Sequence, residues 1–118
     1  MSADRLIDDS LNDILSAAEK AIEFVAGMGS ADLADDDRTE FAVIKALEIV
    51  GEAARRVPES YRDSQPQIPW REMAAMRDKL FHDYFGVDIE VVWKTIHEDL
   101  PPVIGALRAL IDDLQDPK

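Results

Sequence analysis

The sequence predicts an all-α protein, a small helical bundle, on three observations. Apolar residues recur at spacings of three and four through four long segments. Most of the 5 Gly and 6 Pro fall between those segments rather than within them. No stretch alternates apolar with polar residues as a half-buried strand would, and neither an internal repeat nor a low-complexity segment competes. At 118 residues the chain is read as one domain, 1–118, because a second core could not be buried in so short a chain.

The first helix is expected from about Asp4 to Ala26. Ile7, Leu11, Ile14, Ala18, Ile22 and Val25 share one face there, and Gly27 and Gly29 end it. The acidic run Asp32 to Asp37 reads as a loop that caps the second helix, where carboxylates suit the positive end of the helix dipole. That helix is expected from about Asp37 to Val57, with Phe41, Ile44, Leu47, Val50, Ala54 and Val57 buried. Gly51 lies inside it at a cost in helix propensity, which points to close approach by another helix. Pro58 stops it.

Pro58 to Pro69 reads as a loop with at most one helical turn. Pro69 then suits the start of a third helix, expected from about Trp70 to Tyr84 and broken by Gly86. A fourth begins near a capping Asp88 and continues to about Leu114. Its stripe is Ile89, Trp93, Ile96, Leu100, Ile104, Leu107, Ile111 and Leu114. Pro101 and Pro102 should kink or split it, since proline lacks the amide donor and clashes with the preceding turn. Both later helices are broad in apolar residues (Met73, Met76, Leu80, Phe81; Val91, Val92, Trp93), which leaves apolar surface for a partner helix, such as that of a homodimer.

Composition excludes several kinds of chemistry. No cysteine is present, so disulfides, zinc–cysteine sites and thiol nucleophiles are ruled out. The first residues, MSADRLIDDS, do not read as a signal peptide, and no apolar run approaches the ~18 residues of a membrane span. A cytoplasmic protein with no membrane association is expected. Asp and Glu outnumber Lys and Arg by 25 to 13, for a net charge of −12. That balance opposes nucleic-acid binding, unless a locally basic cleft or a basic partner offsets it.

One segment carries candidate chemistry: Arg77-Asp78-Lys79-Leu80-Phe81-His82-Asp83-Tyr84. On a regular helix Arg77 falls in the apolar face formed by Trp70, Met73, Leu80 and Tyr84. A guanidinium there either snorkels to solvent or has a function. His82 follows Arg77 by five residues, which on a regular helix sets the two side chains roughly 140° apart. Either the helix loosens before Gly86, or the groups converge through a second copy of the chain. Taken alone, His82 reads equally as a surface histidine near a helix end.

The pattern Arg-x4-His-x-Tyr, formed by Arg77, His82 and Tyr84, resembles the signature of HepT-type toxins of the HEPN superfamily. The block IPWREMAAMRDKLFHDYFGVDIEVVWKTI around it, and ALEIVGEAARRVP upstream, resemble the same family in order and spacing. The resemblance implies a HEPN-type bundle of four to five helices with a kinked last helix, paired as a two-fold dimer. It implies a metal-independent endoribonuclease with no cofactor, in which Arg77 and His82 are catalytic and a dimer supplies two of each. The 2′-hydroxyl of RNA would attack the adjacent phosphodiester, leaving a 2′,3′-cyclic phosphate. Tyr84 corresponds to the tyrosine that a nucleotidyltransferase antitoxin modifies with AMP, and Asp78 and Lys79 are supporting candidates. Asp78 departs from the small polar residue, often Asn, of the wider group; a carboxylate there could orient the arginine or partly cancel its charge.

Two further readings stand beside that one: a non-catalytic module that binds a nucleotidyltransferase, which the charge favours, and a nucleotide-binding domain. His97 is expected at a solvent edge without metal. Glu48 and Glu52 lack the Glu-x-x-His partners of bundle metal sites and read as a helix contact or as partners of Arg55 or Arg56.

Overall fold

The structure is a computed structural model that describes residues 3–80 and 86–115. Its frame is a helix pair. α1 (Ala3–Phe24) and α3 (Asp37–Arg56) pack along most of their lengths, burying Ile7, Leu11, Ile14, Ala18 and Ala21 against Val43, Ala46, Leu47, Val50 and Ala54. Gly27, at φ +80°, turns the chain after α1, in the left-handed region that glycine enters without penalty.

Gly29 does not end α1, as expected, but starts a helix of its own. The acidic loop contains a short helix, α2 (Ser30–Ala34), whose Asp32 carboxylate accepts the Gly29 N–H at 2.8 Å, while Leu33 plugs into the core. The cap of α3 is Asp36, which accepts from the Thr39 amide at 3.1 Å and the Thr39 hydroxyl at 2.8 Å. Those bonds favour the charged form and hold the carboxyl below its ordinary range. A carboxyl depressed by folding stabilises above its unfolded pKa and loses that contribution as pH falls through the folded value. Asp36→Ala is therefore expected to lower the thermal midpoint by a few degrees at pH 7. The gap from wild type should close as pH drops below about 4, as thermal circular dichroism at the two pH values would show.

Phe41 departs from the expected stripe: it is 75% exposed, whereas Ile44, Leu47, Val50, Ala54 and Val57 are buried as read. The core side of α3 is filled by the smaller Val43 and Ala46, on the face toward α1, and Phe41 points off it. After Pro58, α4 (Glu59–Ser64) supplies the single short helix expected in the loop. The Arg62 Nε donates to the Val57 carbonyl at 3.0 Å, and the Trp70 indole donates to the Gln65 carbonyl at 2.9 Å. The loop is thereby tied at both ends.

The third helix is not continuous. α5 (Trp70–Ala74) and α6 (Met76–Leu80) are separated at Ala75, whose ψ of 8° opens the turn. The interruption lies where the chain presses on α3. A Cβ built on Gly51 would stand 2.9 Å from the Met73 carbonyl oxygen and 3.6 Å from that of Ala74. Gly51 thus marks a close helix approach, as its position suggested. With the turn opened, the buried stripe runs Trp70, Met73, Met76, Leu80, and Arg77 falls beside it rather than within it. The remainder of the expected helix, to Tyr84, lies outside the described residues.

Gly86, at φ +83°, precedes α7 (Ile89–Lys94), which Asp88 caps by accepting from the Glu90 and Val91 amides. A π-turn (Thr95–Asp99) then joins α8 (Leu100–Gln115). Pro101 and Pro102 cannot donate to the carbonyls one turn back, so the ladder widens just before them instead of breaking. Leu114, expected in the stripe, is exposed at the helix end. α8 lies along α1, and α5 and α6 lie on α3. Met73, Met76, Leu80 and Val92 are consumed inside this packing, so the apolar breadth of the later helices is largely satisfied within the chain. Among the described residues the large exposed apolar side chains are instead mostly on α1 and α3, at Leu6, Phe24, Phe41 and Ile49. Among the described residues no helix is long and apolar enough to cross a membrane.

Candidate functional site

Arg77 is exposed on α6 and lines a groove of about 580 Å³ between α6 and α3. The close approach at Gly51 brings it there, because α5 and α6 can lie on α3 only where the helix has no side chain to keep them off. The opposite wall is one face of α3. Lys45, Ile49, Glu52 and Arg56, at i, i+4, i+7 and i+11, follow one another along it, flanked by Glu48 and Arg55. Asp13 of α1 closes the rim. The groove therefore gathers four cations against three carboxylates, in a chain whose overall charge is −12. Its formal balance is thus positive by one charge, where the chain as a whole is strongly acidic.

The remaining candidates divide. Asp78, although next to Arg77 in sequence, lines the neighbouring depression between α4 and α5, so the two side chains open on different hollows. Lys79 pairs with Asp99 at 2.9 Å, tying α6 to the π-turn. His82 and Tyr84 lie outside the described residues. The interruption at Ala75 lies before Arg77 in the chain.

His97 is exposed, as expected. Its ring stacks on Trp93 with centroids 4.0 Å apart, and its Nδ1 lies 2.9 Å from the Trp93 carbonyl oxygen. Glu48 and Glu52 are not ion-paired with Arg55 or Arg56; among the described residues the ion pairs are Lys79–Asp99 and Arg108–Glu19. No group of three potential metal-ligating side chains comes together among the described residues. What the sequence reading missed is that Lys45, Arg55 and Arg56 share a groove with Arg77. The signal was present in the i, i+10 and i+11 spacing of Lys45, Arg55 and Arg56 around Gly51, and it needed the packing of α6 on that face to become a site.

Comparison with known proteins identifies the family of the chain. The family model described as ribonuclease HepT-like matches residues 14–110. A Thermococcus cleftensis protein named "Probable ribonuclease HepT" is 50% identical over 102 residues, covering 86% of this chain and 93% of the relative. A Caldanaerobacter subterraneus subsp. tengcongensis protein is 41% identical over 101 residues, covering 86% and 90% of the two chains. A Methanocaldococcus jannaschii protein is 39% identical over 106 residues, covering 90% and 91%. The names of the last two mark them as candidate RNases. No solved structure matches the chain.

Proposed function

This chain belongs to the HepT-like ribonuclease family, and on that premise we propose that it is a metal-independent endoribonuclease, the toxin of a toxin–antitoxin pair. The observation that carries the reading is Arg77, exposed in a groove where cations outnumber carboxylates on an acidic chain. A guanidinium there meets a phosphodiester and stabilises the charge that builds on its oxygens during cleavage. His82, five residues on, supplies the proton transfer, since imidazole titrates near neutrality. As base it takes the proton of the 2′-hydroxyl, whose oxygen attacks phosphorus. The bond from phosphorus to the 5′-oxygen breaks, and that oxygen takes a proton from the imidazolium of a second copy. The products are a 2′,3′-cyclic phosphate and a 5′-hydroxyl.

One chain has a single Arg77 and a single His82 in this motif, so the chemistry calls for a homodimer. Supporting it, Phe24 and Ile49 line a shallow depression of about 410 Å³ that shares Asp13, Lys45 and Ile49 with the Arg77 groove. Phe41, one helical turn before Lys45 on α3, is the most exposed of the large apolar side chains among the described residues. A second copy seated at the Phe24 end of that depression, which the Arg77 groove does not share, would leave Lys45 open to RNA. Tyr84 is the site at which a nucleotidyltransferase antitoxin adds AMP, placing phosphate charge and bulk beside Arg77 and blocking RNA.

Purified, unmodified protein in EDTA is expected to cut cellular RNA and leave cyclic-phosphate ends. After treatment with the nucleotidyltransferase and ATP it should gain the mass of AMP and stop cutting, and Tyr84→Phe should escape both effects. If protein shown by intact mass to be unmodified cuts nothing, the non-catalytic module, to which the charge of −12 points, takes the place of the enzyme.

A further inference from the structure

We infer that the α3 face of the Arg77 groove is the path of the RNA strand, with Lys45 at one end and Arg55 and Arg56 at the other holding the phosphates that flank the one being cut. The inference deepens the ribonuclease reading above and rests on it. Lys45 and Arg56 are eleven residues apart on one face of α3, about 16 Å along the axis. That is the span of a few nucleotides, at about 3.4 Å for each stacked residue or more when extended. All three cations are exposed, and none is in an ion pair among the described residues. They are available to a polyanion.

The carboxylates give the path its register. Glu48 and Glu52 lie between the two cationic ends along α3, and Arg77 lines the same groove from α6. A phosphate near either one is repelled unless a cation meets it at the same place, and across the groove that cation is Arg77. The sequence of charges along the groove is therefore cation, carboxylates faced by arginine, cation. A strand settles with flanking phosphates at the ends and a single phosphate at Arg77. The carboxylates thus oppose sliding, which a uniformly basic groove would permit.

A fluorescein-labelled RNA nonamer with 2′-O-methyl riboses, which cannot be cleaved by 2′-hydroxyl attack, tests this by fluorescence anisotropy at low and moderate salt. Lys45→Gln and the double variant Arg55→Gln/Arg56→Gln should each bind about threefold to tenfold more weakly at low salt. Each should also flatten the log–log salt dependence by about 0.7 for every phosphate that the groove no longer neutralises. Lys94→Gln, which removes an exposed cation on α7 outside the groove, should bind as wild type does. At saturating RNA the groove variants should keep their turnover and raise KM. Groove variants that bind as tightly as wild type, or an equal loss in Lys94→Gln, would overturn the path. If wild type binds with the expected pattern yet cuts no RNA, the path stands and the cleavage reading falls. If it cuts RNA and the groove variants bind unchanged, the reverse holds.

Discussion

Arg77→Ala and His82→Ala are each expected to lower RNA cleavage by at least about 10²-fold while leaving the fold intact. The two losses have different physical origins. Removing a positioned proton-transfer group costs about 10²–10⁴-fold, and removing one donor to the charge that develops in the transition state costs about 10²–10³-fold. Arg77 is exposed and sits beside the buried stripe of Met73, Met76 and Leu80, so its truncation opens no cavity. Arg77→Lys should recover little, because a point charge does not reproduce the planar two-pronged contact of a guanidinium with phosphate.

Mixing tests the two-copy site directly. With His82→Ala added in increasing proportion and subunits allowed to exchange, a site needing both histidines loses activity as the square of the wild-type fraction. Independent sites lose it in direct proportion. A linear decline would remove the second copy from the mechanism. Folded variants that cut like wild type would remove Arg77 and His82 from it altogether.

The parts of the fold governed by local chemistry were legible in the chain. Helical spacing located α1, α3 and the α7–α8 arm; Gly27 and Pro58 marked the ends of the first two; and Asp88 was recognised as a cap. What escaped were the features set by one element pressing on another. The opening at Ala75 and the placing of Arg77 beside its stripe depend on how α5 meets α3, and an unbroken apolar spacing carries no sign of it. Phe41 fits the stripe by number and leaves it in space, because Val43 and Ala46 fill that face of α3 toward α1. The candidate site shows the same division. Its motif residues, Arg77, His82 and Tyr84, lie within one short segment and are named from the chain alone. The cations that share the groove are on another helix, well upstream, and became neighbours only through packing.

Gly51 is where fold and site meet, and Gly51→Ala is expected to damage both. Two effects oppose each other. Alanine in a helix interior is favoured over glycine by about 0.8–1 kcal/mol, which alone would stabilise α3. Against it, the added Cβ would lie 2.9 Å from the Met73 carbonyl oxygen, closer than such atoms can approach, with the Met76 Cβ at 3.6 Å. The obstacle is backbone, so no side chain can swing aside, and α5 has to move outward. Overpacking of this kind costs about 1–3 kcal/mol, occasionally more, and a rigid backbone neighbour places this case toward the upper end. The net loss is then about 2 kcal/mol, roughly a 10 °C fall in the thermal midpoint. The outward shift also carries α6, and with it Arg77, away from the α3 face. Since misplacement by about 1 Å can cost about 10²-fold in rate, cleavage should drop in the variant even well below its melting temperature, where nearly all of it is folded. A variant that melts at or above the wild-type temperature would show that α5 yields without cost. One that melts lower yet cuts at the full rate would show that the spacing of α6 on α3 does not set the position of Arg77 for catalysis.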